Sequence, residues 1–147
     1  MTLPVISELA RSLGLDFAKT ARSLRSNGAG IILCYHRIVD QLDPSLYNVE
    51  RGILARTFTR QLEWMCRWAR PVALTELLTP APGSLRFAVT FDDATEDHLR
   101  VAAPILKQRS IPATFYAVSE FVGSSQLWWW DLAFWLLSSM RLLGPPS

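Results

Sequence analysis

Hydrophobic and polar positions change rhythm along this chain, and the changes mark its elements. From about Val5 to Leu24, Ile6, Leu9, Leu13, Phe17, Ala21 and Leu24 recur on one helical face, with Arg11, Lys19, Arg22 and Arg25 as the cations. "SNGAG" at 26–30 ends that helix, and "GIILCYH" at 30–36 reads as a strand buried on both faces. "RTFTRQLEWMCRWA" at 56–69 sets Phe58, Leu62, Met65 and Trp68 or Ala69 at helical spacing, with Thr57 or Thr59 as cap. A brief strand at 71–74, a possible turn of helix and a Pro/Gly turn cluster lead to the strand "LRFAVTFDD" at 85–93. The helix predicted at 96–109 turns Leu99, Ala102, Ala103 and Leu106 inward, and Pro104 inside it predicts a kink or a distorted turn. A last strand is expected at 110–118, entered through Pro112.

Strands separated by helices imply crossover units and an α/β fold with a mostly parallel sheet. Four candidate strands cannot close a barrel. The segment Leu127–Leu143 is apolar almost all round, broken by Asp131, Ser138, Ser139 and Arg141. Its 17 residues sit at the lower limit for crossing a bilayer. A helix covered by more protein is the preferred reading, with a membrane anchor as the alternative. The basic N-terminal helix has the same two readings, packed on the domain's flank or resting on an anionic membrane surface. The chain thus divides into an N-terminal helix (1–27), an α/β segment (28–126) and a Trp/Leu-rich tail (127–147).

Composition narrows the function classes. The chain has 147 residues and is 50% hydrophobic, enough for a real core. A net charge of +2, with no Lys/Arg stripe, argues against nucleic acid as a partner. Cys34 and Cys66 lie among apolar neighbours in different elements, which predicts buried free thiols, and neither is in a CxxC motif or a Cys/His pair of metal spacing. The N-terminus has no continuous apolar core or cleavage site of an export signal, which leans the expected location toward the cytoplasm.

Candidate chemistry centres on Asp92 and Asp93, adjacent carboxylates where a buried strand stops. Parallel sheets concentrate function at the C-terminal ends of their strands. Two like charges there repel unless a cation lies near them. A divalent ion would let one aspartate bind it while the other takes a proton from the attacking water. The alternative is a capping box in "DATE" at 93–96, with Asp93 capping the helix and Glu96 reaching back. His36 ends the first strand and is a candidate for the same pocket, or else makes a structural hydrogen bond. His98 reads as a surface or helix-packing residue directed along its helix.

Three pieces, "ILCYHRI" at 32–38, "FAVTFDDATED" at 87–97 and "APILKQRSIPATFYAVSEFVG" at 103–123, together resemble the NodB-type polysaccharide deacetylases. The resemblance implies a partial (β/α) barrel and metal-dependent removal of acetyl groups from a carbohydrate polymer. By position it makes Asp92 the catalytic general base and Asp93 a ligand to zinc or another divalent ion. Two departures stand out. Ala94 occupies a position where the family has glycine, which costs energy if the turn needs a positive φ. The family's later pair of metal-binding histidines has no counterpart, since this sequence holds only His36 and His98. The resemblance then implies the N-terminal half of a domain, inactive alone, whose remaining half is a partner.

Overall fold

The run Arg86–Phe91 is buried at all six positions and forms the middle of the sheet. The computed structural model describes residues 17–41 and 52–124, with Gln126, Trp128, Trp129, Leu132, Ala133, Leu136 and Ser139 of the tail. In chain order the elements are α1 (Phe17–Asn27), β1 (Gly30–Tyr35), β2 (Ile38–Val39), β3 (Ile53–Leu54), α2 (Ala55–Trp68), β4 (Arg70–Pro71), β5 (Arg86–Phe91), α3 (Ala103–Gln108) and β6 (Ala113–Phe115). A 3-10 turn at Leu74–Leu78 follows β4, and a π turn at His98–Ala102 runs into α3.

Every strand pairing is parallel. β1 matches β5 along its whole length, from Gly30 opposite Arg86 to Tyr35 opposite Phe91. The other edge of β5 is shared, with β4 beside Arg86 and Phe87 and β6 beside Val89 to Phe91. β2 and β3 form a separate parallel pair. The main sheet therefore contains the four strands expected from the sequence, alternates with helices and, among the described residues, does not close into a barrel.

The core lies between the sheet and the helices. Phe58, Leu62 and Met65 of α2 are buried, as their spacing predicts, and Ala69 rather than Trp68 completes the face. Phe58 packs edge-on against Tyr35 at 4.9 Å and against Phe91 at 5.8 Å. Phe58, Phe87 and Phe91 are fully buried, and a ring so placed contributes about 1.5–3 kcal/mol. The base of the sheet is tied by Arg86, whose buried guanidinium donates to the carbonyls of Glu76 at 2.8 Å, Thr79 at 2.7 Å and Gly28 at 3.0 Å. Gly28 has φ +69°, and a Cβ there would fall 2.5 Å from the Ala81 nitrogen.

Several expectations need correction. β1 is not buried on both faces, for Ile32 and Cys34 point outward while Ile31 and Leu33 pack on the core. Both cysteines are exposed, because their apolar neighbours take the inward positions. Neither Thr57 nor Thr59 caps α2, since Leu54 and Ala55 have already started it. Pro104 does distort its helix. The Ala103 N–H reaches back five residues to the His98 carbonyl, and this wider turn accommodates a residue without an N–H. The wider turn also changes which residues face inward, so that His98 is buried with Ala102 and Leu106 while Leu99 is 76% exposed.

In the part of the N-terminal helix that is described, Ala21 and Leu24 pack on the core. Residues 1–16 and most of the predicted tail helix lie outside the described residues. Trp129, Leu132 and Leu136 of the tail are exposed. No helix among the described residues is long and apolar enough to cross a membrane.

Two predictions follow from this packing. Asp93 and Ala94, just past β5, have φ of 73° and 45°. A left-handed conformation costs a residue with a Cβ about 1–2 kcal/mol, part of which glycine gives back as chain entropy. Ala94→Gly should therefore stabilise the chain by about 1 kcal/mol in urea denaturation. Burial pushes the Tyr35 hydroxyl from 10.0 up to about 12. The unfolded chain then ionises first, so this stability is intact below pH 10 and is lost as pH rises from there through about 12. Tyr35→Phe should lose less stability across that window, measured by denaturation at each pH.

Candidate functional site at the strand rim

Asp92 leaves β5 where Tyr35 leaves β1, and the Asp92 N–H donates to the Tyr35 carbonyl at 3.0 Å. This bond extends the parallel ladder one step past the paired residues and sets His36 beside Asp92. Cys34 near the end of β1 and His36 just past it are both exposed on either side of the buried Tyr35, so the two side chains face the same way. The Cys34 thiol donates to Asp92 Oδ2 at 3.3 Å, and His36 Nε2 lies 3.6 Å from the same oxygen. The cluster is open to water, with the His36 side chain 64% exposed and that of Asp92 41% exposed. Partial burial and then the negative charges of Asp92 and Asp93 push the Cys34 thiol above its ordinary value.

The rim stands on an aromatic floor. Phe91 stacks on Phe115 at 4.7 Å and meets the His98 ring at 4.8 Å and Tyr35 at 5.6 Å. His98 is neither on the surface nor directed along its helix. It is buried, and its Nε2 lies 2.6 Å from the His36 carbonyl. A carbonyl can only accept, so this nitrogen carries the proton. Asp97 Oδ2 accepts from the Ile38 N–H at 2.7 Å, and Asp97 Oδ1 is 3.8 Å from Arg37 Nε. Successive residues at the start of one helix thus grip both ends of the stretch His36–Ile38.

The capping box does not form. Asp93 has a left-handed φ rather than the extended one of an N-cap, and Glu96 turns outward to Arg100 at 2.6 Å. Of the residues singled out from the sequence, Asp92 and His36 come together, while Asp93 belongs to no group of three metal donors among the described residues. Cys34, Asp97 and His98 were missed as parts of the site. The Cys-x-His spacing of "CYH" could have shown Cys34, because a buried residue between two polar ones leaves both donors on the outward side. A hollow of about 600 Å³ lies away from the rim, lined by Glu63, Cys66, Arg67, Gln108 and Arg109. There Arg109 bridges Glu63 at 3.0 Å, and the groups expected to carry chemistry do not converge on it.

Comparison with known proteins bears on the fold and on one segment of the sequence. Residues 81–135 match the family model described as polysaccharide deacetylase. No curated protein matches the chain. Among solved structures, the Streptococcus pyogenes deacetylase PplD in complex with acetate is 24% identical with a TM-score of 0.56, covering 69% of this chain and 49% of that one. A de-N-acetylase from Aggregatibacter actinomycetemcomitans is 23% identical with a TM-score of 0.52, covering 61% and 37%. IcaB from Ammonifex degensii is 32% identical with a TM-score of 0.49, covering 63% and 39%. The chain thus spans less than half the length of each. The first two share its fold, and the family match falls on β5, the acidic doublet, α3 and β6. Over those residues the chain is similar to the polysaccharide deacetylase family.

Proposed function

We propose that this chain contributes the acidic rim of a deacetylase acting on an acetylated carbohydrate polymer, with Asp92 as general base and His36 in the same pocket. The observation that carries the reading is the Asp92 carboxylate at the end of β5, inside the family-matched segment and against His36. In the proposed reaction Asp92 takes a proton from water as its oxygen bonds to the acetyl carbon. The carbon–nitrogen bond then breaks, the amine takes a proton, and acetate leaves. Cys34 and His36 both approach Oδ2, and these contacts orient the carboxylate.

Asp93 is the proposed carboxylate for a divalent ion, which when bound would polarise the acetyl carbonyl. A catalytic zinc takes three protein ligands. The described residues do not supply that set around Asp93, so the residues present do not fit a complete metal centre there. On this reading the chain alone releases acetate only at background level. The alternative capping role for "DATE" loses its support, because Glu96 is engaged with Arg100.

The test has two arms. Acetylated glucosamine oligomers added to the isotope-labelled chain should shift the amide signals of residues 34–38 and 91–95 before others, and shifts confined to the α2–α3 hollow would count against the reading. In acetate-release assays with zinc or cobalt, any turnover should fall about 10²–10⁴-fold in Asp92→Asn. Turnover indifferent to that change would remove Asp92 from the role.

A further inference from the structure

We infer that Cys34, His36 and Asp92 together bind one thiophilic divalent cation, such as zinc or cobalt(II), without Asp93 as a ligand. Cys34 and His36 are exposed on either side of the buried Tyr35, and the β1–β5 register brings the carboxylate alongside them. The distances suit an ion. Ligands about 2.0–2.3 Å from a tetrahedral zinc stand roughly 3.4–3.6 Å from one another. Here sulfur to Asp92 Oδ2 is 3.3 Å and His36 Nε2 to the same oxygen is 3.6 Å. All three donors lie within 4.8 Å of one another. The His36 side chain is 64% exposed, so its ring can turn to close the remaining edge without disturbing the core.

The donor set selects the ion. One sulfur, one imidazole and one carboxylate favour zinc or cobalt over magnesium or calcium, which take oxygen ligands. On binding, the Cys34 proton that now points at Asp92 passes to solvent, and the metal takes its place between sulfur and oxygen. Water fills the fourth position on the exposed side. This assignment needs only the three donors, and an ion held there competes with the base role proposed for Asp92. With the ion bound to it, Asp92 is no longer available as a base.

The test uses the whole chain, reduced and without a polyhistidine tag. Titration with cobalt(II) should give a near-ultraviolet thiolate-to-metal band saturating at one equivalent, which zinc then bleaches. Cys34→Ser should abolish the band. His36→Ala and Asp92→Asn should weaken binding by about tenfold or more, with folding checked by circular dichroism. Cys66→Ser should leave the band unchanged. X-ray absorption of the zinc-loaded wild-type chain should show one sulfur among nitrogen and oxygen neighbours, a readout that needs no variant. The inference is overturned by the absence of a band at millimolar cobalt, by a band that survives Cys34→Ser, or by a zinc shell without sulfur. Binding lost in Asp93→Asn but kept in Cys34→Ser would place the ion at Asp93, supporting the doublet as a metal site and overturning the three-donor site.

Discussion

The rim depends on a double grip: the helix that follows β5 takes hold of the chain as it leaves β1. His98 donates to the His36 carbonyl and Asp97 accepts from the Ile38 amide, with heavy-atom separations of 2.6 and 2.7 Å. Backbone groups at a strand end have lost their ladder partners, and leaving one buried and unpaired costs about 1–3 kcal/mol. Two adjacent side chains remove that cost at both ends of a three-residue stretch. They also fix where the His36 side chain begins. Without them the stretch after β1 would be an ordinary loop, and the approach of His36 to Asp92 would be one conformer among many.

The grip works because both of its sides are anchored. β5 is buried at every position, and Arg86 ties its first residue to three backbone carbonyls. At its last residue, Phe91 sits among Tyr35, Phe58, His98 and Phe115. The strand is thus held at both ends by unlike means, a buried cation donating to three carbonyls below and an aromatic cluster above. The half-buried carboxylates of Asp92 and Asp93 emerge just past Phe91, where water keeps them solvated. This division lets a thiol, an imidazole and a carboxylate converge without the desolvation cost of a buried site.

Much of the fold was legible because it rests on periodicity. The four strands of the main sheet, the inward face of α2 and the disturbance at Pro104 all follow from spacing and from the chemistry of proline. What escaped depended on register or on partners distant in sequence. A π turn is set by hydrogen bonds that a helical wheel does not show, so Leu99 was placed inward where His98 lies. Arg86 looks like a strand-edge cation until Gly28 and Thr79 are brought to it by tertiary structure. The proximity of Asp92 and His36 was legible because a charged doublet and a histidine both stand where apolar runs end. Cys34 was read as core because its sequence neighbours are apolar, although neighbours on a strand face the opposite side.

Strain at the doublet ties these strands of argument together. Asp93 and Ala94 are consecutive residues with positive φ, each in a conformation that costs of order 1–3 kcal/mol. Such a turn persists only where its surroundings fix both ends. Here the entry is fixed by the Asp92 amide on the Tyr35 carbonyl, and the exit by the His98 amide on the Thr95 carbonyl together with the grip on His36–Ile38. The chain must leave a buried strand and enter a helix within residues 92–95, and the left-handed pair makes that reversal. A longer, relaxed loop would avoid the cost, but it would free Asp92 from the line of β5. The tight turn holds that carboxylate where the face shared by Cys34 and His36 can meet it, so the strain is the structural cost of a fixed carboxylate at an open rim.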